Sequence, residues 1–141
     1  MNSEEKSNKY WSKIVTTENL VKEYIAKAKE DLKASEVLFK SKDYDWSFSI
    51  SYNAILQASR ALMAHNKVRS KGPSHNISIL KFLQEFYKDK LEEDFLFILD
   101  KFRKKRHLAV YGIVEIVSEQ ECKFCMNLCK EFLLKVEGFV K

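Results

Sequence analysis

Residues 101–107 read Lys-Phe-Arg-Lys-Lys-Arg-His, five cations and an imidazole with no acid among them. Five of the chain's 25 Lys and Arg residues lie here, which leaves 20 to balance its 20 Asp and Glu. The net charge of +5 is therefore concentrated in one stretch. Such a patch is what a polyanion such as RNA requires. Arg106 is followed directly by His107 and then, at the end of the same run, by Tyr111. Guanidinium forks clamp phosphate, while imidazole and phenol can move protons.

On a helix of 100° per residue, Leu91, Phe95, Ile98, Leu99 and Phe102 define one apolar arc, and Arg106 falls inside it. Arg103 and His107 stand i, i+4 on the flank, with Tyr111 continuing their row, whereas Lys101 and Lys104 point to solvent. Two explanations compete. Matching of the helix dipole, with Glu92, Glu93 and Asp94 at the start and cations at the end, accounts for Lys101, Lys104 and Lys105. It accounts poorly for Arg106, because an arginine on an apolar face needs a partner or costs several kcal/mol.

The elements that must hold these groups are helices. Three glycines and one proline in 141 residues are too few for a sheet-rich fold, and neither G-x-G-x-x-G nor a Walker loop occurs. Helical spacing predicts a first helix capped by Thr16 or Thr17 and ending near Lys40, and a second from about Asp45 to Asn66. The loop Lys67 to Pro73 leads to a third from Ser74 and a fourth from about Leu91 to Tyr111, stopped by Gly112. Ser118-Glu119-Gln120-Glu121 has the form of a capping box and opens a fifth, ending near Val140. The expected fold is all-α, an antiparallel up-down bundle of four to five helices in one domain over residues 16–141. Residues 1–15 are expected to be a frayed lead-in, with Tyr10, Trp11, Ile14 and Val15 available to pack back.

Ser51-Tyr52-Asn53-Ala54, the small residues Ala58 and Ala61, Ser74-His75, and Arg106-His107-Leu108-Ala109-Val110-Tyr111-Gly112 resemble a HEPN domain, most closely the small stand-alone prokaryotic branch. The resemblance spans about residues 17–140. It implies a dimerising helical bundle, metal-independent endoribonuclease activity in many members, and in several a toxin paired with a minimal nucleotidyltransferase antitoxin. Arg106 matches the family's motif arginine and His107 the polar residue after it. Tyr111 stands where active nucleases have histidine. Arg103 with His107 is a shifted pair, one residue shorter than the family spacing. Antitoxin-linked members carry a tyrosine at the position of Ile113.

The expected site is therefore Arg106, His107 and Tyr111 for chemistry, with Arg103, Lys104, Lys105 and His75 contacting RNA or phosphate. No cofactor is expected. The partners are RNA or a nucleotide, a second copy of the chain, and a nucleotidyltransferase antitoxin. The alternative is a catalytically inactive adaptor of the same fold that binds the nucleotidyltransferase, a nucleotide, or both. Cys122, Cys125 and Cys129 share one helix face with Leu133 and Val136, which reads as core rather than as a metal site. Three cysteines, no apolar run of about 20 residues and no secretory pattern at the start set the expectation of a cytoplasmic chain away from membranes.

Overall fold

A computed structural model describes residues 8–16, 18–72, 74–112 and 115–141. Among the described residues, five α-helices and a two-stranded ribbon make up the fold: β1 (Trp11–Lys13), α1 (Glu18–Lys40), α2 (Tyr44–His65), β2 (Val68–Ser70), α3 (His75–Tyr87), α4 (Phe95–Tyr111) and α5 (Glu119–Phe139). The chain is an all-α bundle, as the helical periodicity predicts.

Helix α2 is the central post, packed against α1, α3, α4 and α5. Its Ala54, Ala58 and Ala61 are fully buried, and such small side chains let neighbouring backbones approach closely. Four buried serines on this helix satisfy their hydroxyls on backbone carbonyls: Ser47 on Ser35, Ser49 on Asp45, Ser51 on Phe48 and Ser59 on Ile55. That removes the penalty of burying them. A three-residue turn returns α2 along α1, with Lys42 in the left-handed region at φ 62°.

The ribbon is antiparallel, pairing Trp11 with Ser70 and Lys13 with Val68. Trp11 is 3% exposed and meets Phe82 and Phe86 edge-on at 6.2 and 5.6 Å. Strand pairing thus fixes part of the segment expected as a lead-in, while Val15 stays exposed. Thr16 does not cap α1; its hydroxyl donates to the Ala64 carbonyl at 2.8 Å. Thr17, the other cap candidate, lies outside the described residues.

Helix α4 begins at Phe95 rather than Leu91, because Lys88–Lys90 form a short 3-10 turn and Leu91 is extended. Gly112 ends α4 in extended backbone at φ −81°, donating its N–H to Leu108 O at 2.7 Å. The link to α5 is pinned by Asp45, whose Oδ1 accepts from the backbone N–H groups of Val117 at 3.0 Å and Ile116 at 3.2 Å. The capping box closes as the sequence predicts, with Ser118 Oγ accepting from Glu121 N and Glu121 Oε1 from Ser118 N, both at 3.1 Å. Cys122, Cys125 and Cys129 are buried core thiols, and Cys125 Sγ lies 3.2 Å from Ser51 Oγ. No group of three potential metal ligands occurs among the described residues. Nor is any described helix long and apolar enough to cross a membrane.

Candidate functional site

Helix α4 does not present its cations as one patch. Arg103 and Arg106 line a cavity of about 260 Å³ together with His107, Val110 and Tyr111 from the same helix and Ser74 and Asn76 from the start of α3. Lys101, Lys104 and Lys105 lie instead along an apolar furrow between α4 and α5, beside Phe102, Leu108 and Phe124. The helical period causes the split: Arg103, Arg106, His107 and Val110 share one face at i, i+3, i+4 and i+7.

Arg106 is half-buried, and the ring beneath it belongs to Tyr52 of α2. The guanidinium carbon sits 5.5 Å from that ring's centroid, a cation–π contact. Among the described residues Arg106 makes no ion pair, and its Nε is buried without a hydrogen-bond partner. The Tyr52 hydroxyl is also buried and unpartnered, and burial pushes its titration far up. An aromatic face thus serves as the partner that an arginine on an apolar arc needs. The cation keeps its charge and its donors.

Arg103 is held at 3.0 Å by Asp100, through both Nε and Nη2. Although its carboxyl is partly desolvated, the hydrogen bond and charge of Arg103, with Lys104 adding to them, hold Asp100 below the usual carboxylate range. His107 stacks on Tyr111, ring centroids 4.9 Å apart and planes tilted by 49°. Tyr111 is 76% exposed. The groove therefore has a cationic wall and an exposed aromatic rim, with no carboxylate among its lining residues.

The other sequence-derived candidates lie elsewhere. Lys104 pairs with Asp100 at 3.6 Å, and Lys105 with Glu121 at 3.2 Å across the furrow. His75 begins α3 but faces away from the groove's lining; its Nδ1 is 2.9 Å from Ser70 Oγ, and it lines a larger cavity beside the ribbon. Ile113 lies outside the described residues. Ser74, Asn76 and Val110 in the groove, and Tyr52 beneath Arg106, were not among the expected site residues. The helical register of Val110 with Arg103 and Arg106 could have signalled it, and Tyr52 and Ser74 stand in the stretches that carry the family resemblance.

The chain matches the HEPN domain family over residues 21–139. It belongs to the HEPN family. The curated protein "Putative toxin MJ0142" of Methanocaldococcus jannaschii is 25% identical over 117 residues, which cover 82% of this chain and 78% of that one. The crystal structure of an archaeal HEPN homologue superposes with a TM-score of 0.66 at 20% identity, covering 86% of this chain and 98% of the other. That similarity establishes the HEPN fold. Arg106, His107 and Tyr111 all stand among the α4 residues that line the groove.

Proposed function

We propose that this HEPN chain is the RNA-directed member of a toxin–antitoxin pair, and that the Arg103–Arg106 groove holds the RNA backbone. One observation carries the reading: Arg106 has no ion-pair partner among the described residues and lines a cavity whose lining holds no carboxylate. Such a guanidinium is poised for a bidentate phosphate contact. The relative from Methanocaldococcus jannaschii, with its toxin name, supports the toxin side of the proposal.

The chemistry available needs only side chains. The ribose 2′-oxygen attacks the adjacent phosphorus, a 2′,3′-cyclic phosphate forms, and the 5′-oxygen leaves with a proton. Arg106 stabilises the negative charge on the phosphorane, and His107 or Tyr111 transfers the proton. Tyr111 in place of histidine makes that transfer slow, since a phenol is a far less effective proton-transfer group at neutrality than an imidazole. RNA contact with slow cleavage is the form this site favours. Phe97, 72% exposed on α4, marks the face through which two copies associate.

Incubation with total RNA in EDTA tests the reading. Wild type should retain RNA and nick it slowly, and folded Arg106→Ala should do neither. Equal RNA retention by the two proteins would overturn it. A second reading, an adaptor without catalysis that binds a nucleotidyltransferase, is favoured by one feature, the tyrosine at the histidine position. It predicts no cleavage at any time and a nucleotidyltransferase encoded beside this gene.

A further inference from the structure

The groove does not end at Arg103. The same arginine lines a second pocket, of about 280 Å³, where α3 meets α4. Ile77 and Leu80 from α3 and Leu96 from α4 make its apolar surface. Ile77 is 36% exposed, and both leucines are half-buried. Lys81 and Gln84, a turn further along α3, add exposed polar side chains, and Asp100 joins Arg103 from α4. Lys81 forms no ion pair among the described residues; its Nζ lies 5.8 Å from the centre of the Tyr10 ring.

Each of these groups has a place in holding one nucleotide of a single strand. RNA read in single strands splays its bases out, rests their faces on side chains and bonds their edges to polar groups. With a phosphate on Arg103 and Arg106, the adjoining base has an apolar surface beside it, and Lys81 supplies a cation for the following phosphate. Asp100 makes the pocket selective. Its Oδ1 takes both Arg103 bonds at 3.0 Å, while its Oδ2 meets the exposed Lys104 at 3.6 Å. Although desolvation opposes it, the hydrogen bond and charge of Arg103, with Lys104 adding to them, keep the carboxyl below the usual carboxylate range. At neutral pH it therefore accepts hydrogen bonds and has none to give. Cytosine presents its N4 amino donor where uracil presents the O4 acceptor. A carboxylate attracts the first and repels the second. The amide of Gln84, which both donates and accepts, completes either edge.

Granted the RNA reading of the Arg103–Arg106 groove, on which this rests, we propose that the α3–α4 pocket is a base-selecting subsite that takes a base with an exocyclic amino group and disfavours uracil. Ile77, Leu80 and Leu96 carry the ring, Asp100 accepts from the amino group, and Gln84 bonds the neighbouring edge atom. Asp100 thereby chooses which base stands next to the phosphate on Arg106, in addition to holding Arg103.

Fluorescence anisotropy with labelled oligocytidylate and oligouridylate of equal length tests the subsite, both 2′-O-methylated so that no cleavage intrudes. The two bases are nearly the same size, so the comparison isolates the amino group. Wild type should bind the cytidylate about tenfold more tightly, the discrimination expected of a base-edge contact. Asp100→Asn should bring the two affinities to within about twofold of each other, because an amide turns to offer either its donor or its acceptor. The Asp100 side chain is 42% exposed, so this variant keeps the core intact. If Asp100 serves only to hold Arg103, Asp100→Asn weakens both oligonucleotides alike and leaves their ratio unchanged, which would overturn the proposal. Equal binding of the two by wild type would also overturn it, while leaving the RNA groove standing. Binding of neither would overturn the RNA reading, and the subsite with it.

Discussion

At the scale of single residues, the position of Arg106 decides what the molecule can do. Its guanidinium lies over the ring of buried Tyr52, so its charge is held without being neutralised. Arg106→Ala should weaken RNA binding about tenfold or more, the loss of a charge-assisted hydrogen bond, with helicity by circular dichroism unchanged. Tyr111→His should raise cleavage in EDTA about tenfold or more, because it places a group titrating near neutrality beside His107. Tyr52→Phe deletes a hydroxyl that is buried with no hydrogen-bond partner among the described residues and keeps the ring under Arg106. Its melting temperature should therefore equal or exceed that of wild type, and a drop of several degrees would show that the hydroxyl has a hidden partner. The sequence made the Arg106-His107-Tyr111 constellation legible, since helical spacing alone puts the three on neighbouring rows. It could not reveal that the arginine's companion is aromatic, because Tyr52 comes from a helix far away in sequence.

Among the elements, the ends of α5 and α2 carry the most testable energetics. Asp45 accepts two backbone N–H bonds from the link that joins α4 to α5, and through them ties the groove-bearing helix to the core. Asp45→Ala should cost about 2 kcal/mol in urea unfolding, the value of charged hydrogen bonds left unmade. The three thiols of α5 behave as core. Burial raises Cys122, Cys125 and Cys129, and pushes Cys129 up to about 12. A raised folded value favours the neutral thiol. The resulting stability is complete below the unfolded thiol's value, near pH 8.5, and declines as pH rises from there toward 12. Native protein at pH 8 should accordingly resist a thiol-reactive dye, and thermal stability should fall on passing from pH 8 to pH 10. Rapid labelling of all three thiols at pH 8 would contradict their burial. Helices, capping box and cysteine face were readable because each follows from local spacing. The ribbon was not, since two three-residue strands have too little alternation to register, and Trp11 is recognised as core only once β2 lies beside it.

For the molecule as a whole, the balance of charge was legible and its distribution was not. Residues 101–107 look like one basic patch in sequence, yet the helix turns two arginines into a groove and three lysines onto another face. The cavity beside the ribbon draws on α1, α2, β2 and the turn after it, and no single stretch of sequence displays it. Phe97 is the outward residue that two copies would bury together. Light scattering at tens of micromolar should give twice the chain's mass, and Phe97→Glu should return the mass of one chain. A wild-type protein that scatters as a single chain would remove the shared interface. The central claim is that the Arg106 groove binds the RNA backbone, and its most direct test is fluorescence anisotropy with a labelled single-stranded RNA at two salt concentrations. Wild type should bind at low salt and weaken steeply at high salt, while folded Arg106→Ala should bind at least about tenfold less tightly with a shallower salt dependence. Equal affinity and equal salt dependence for the two proteins would contradict the claim.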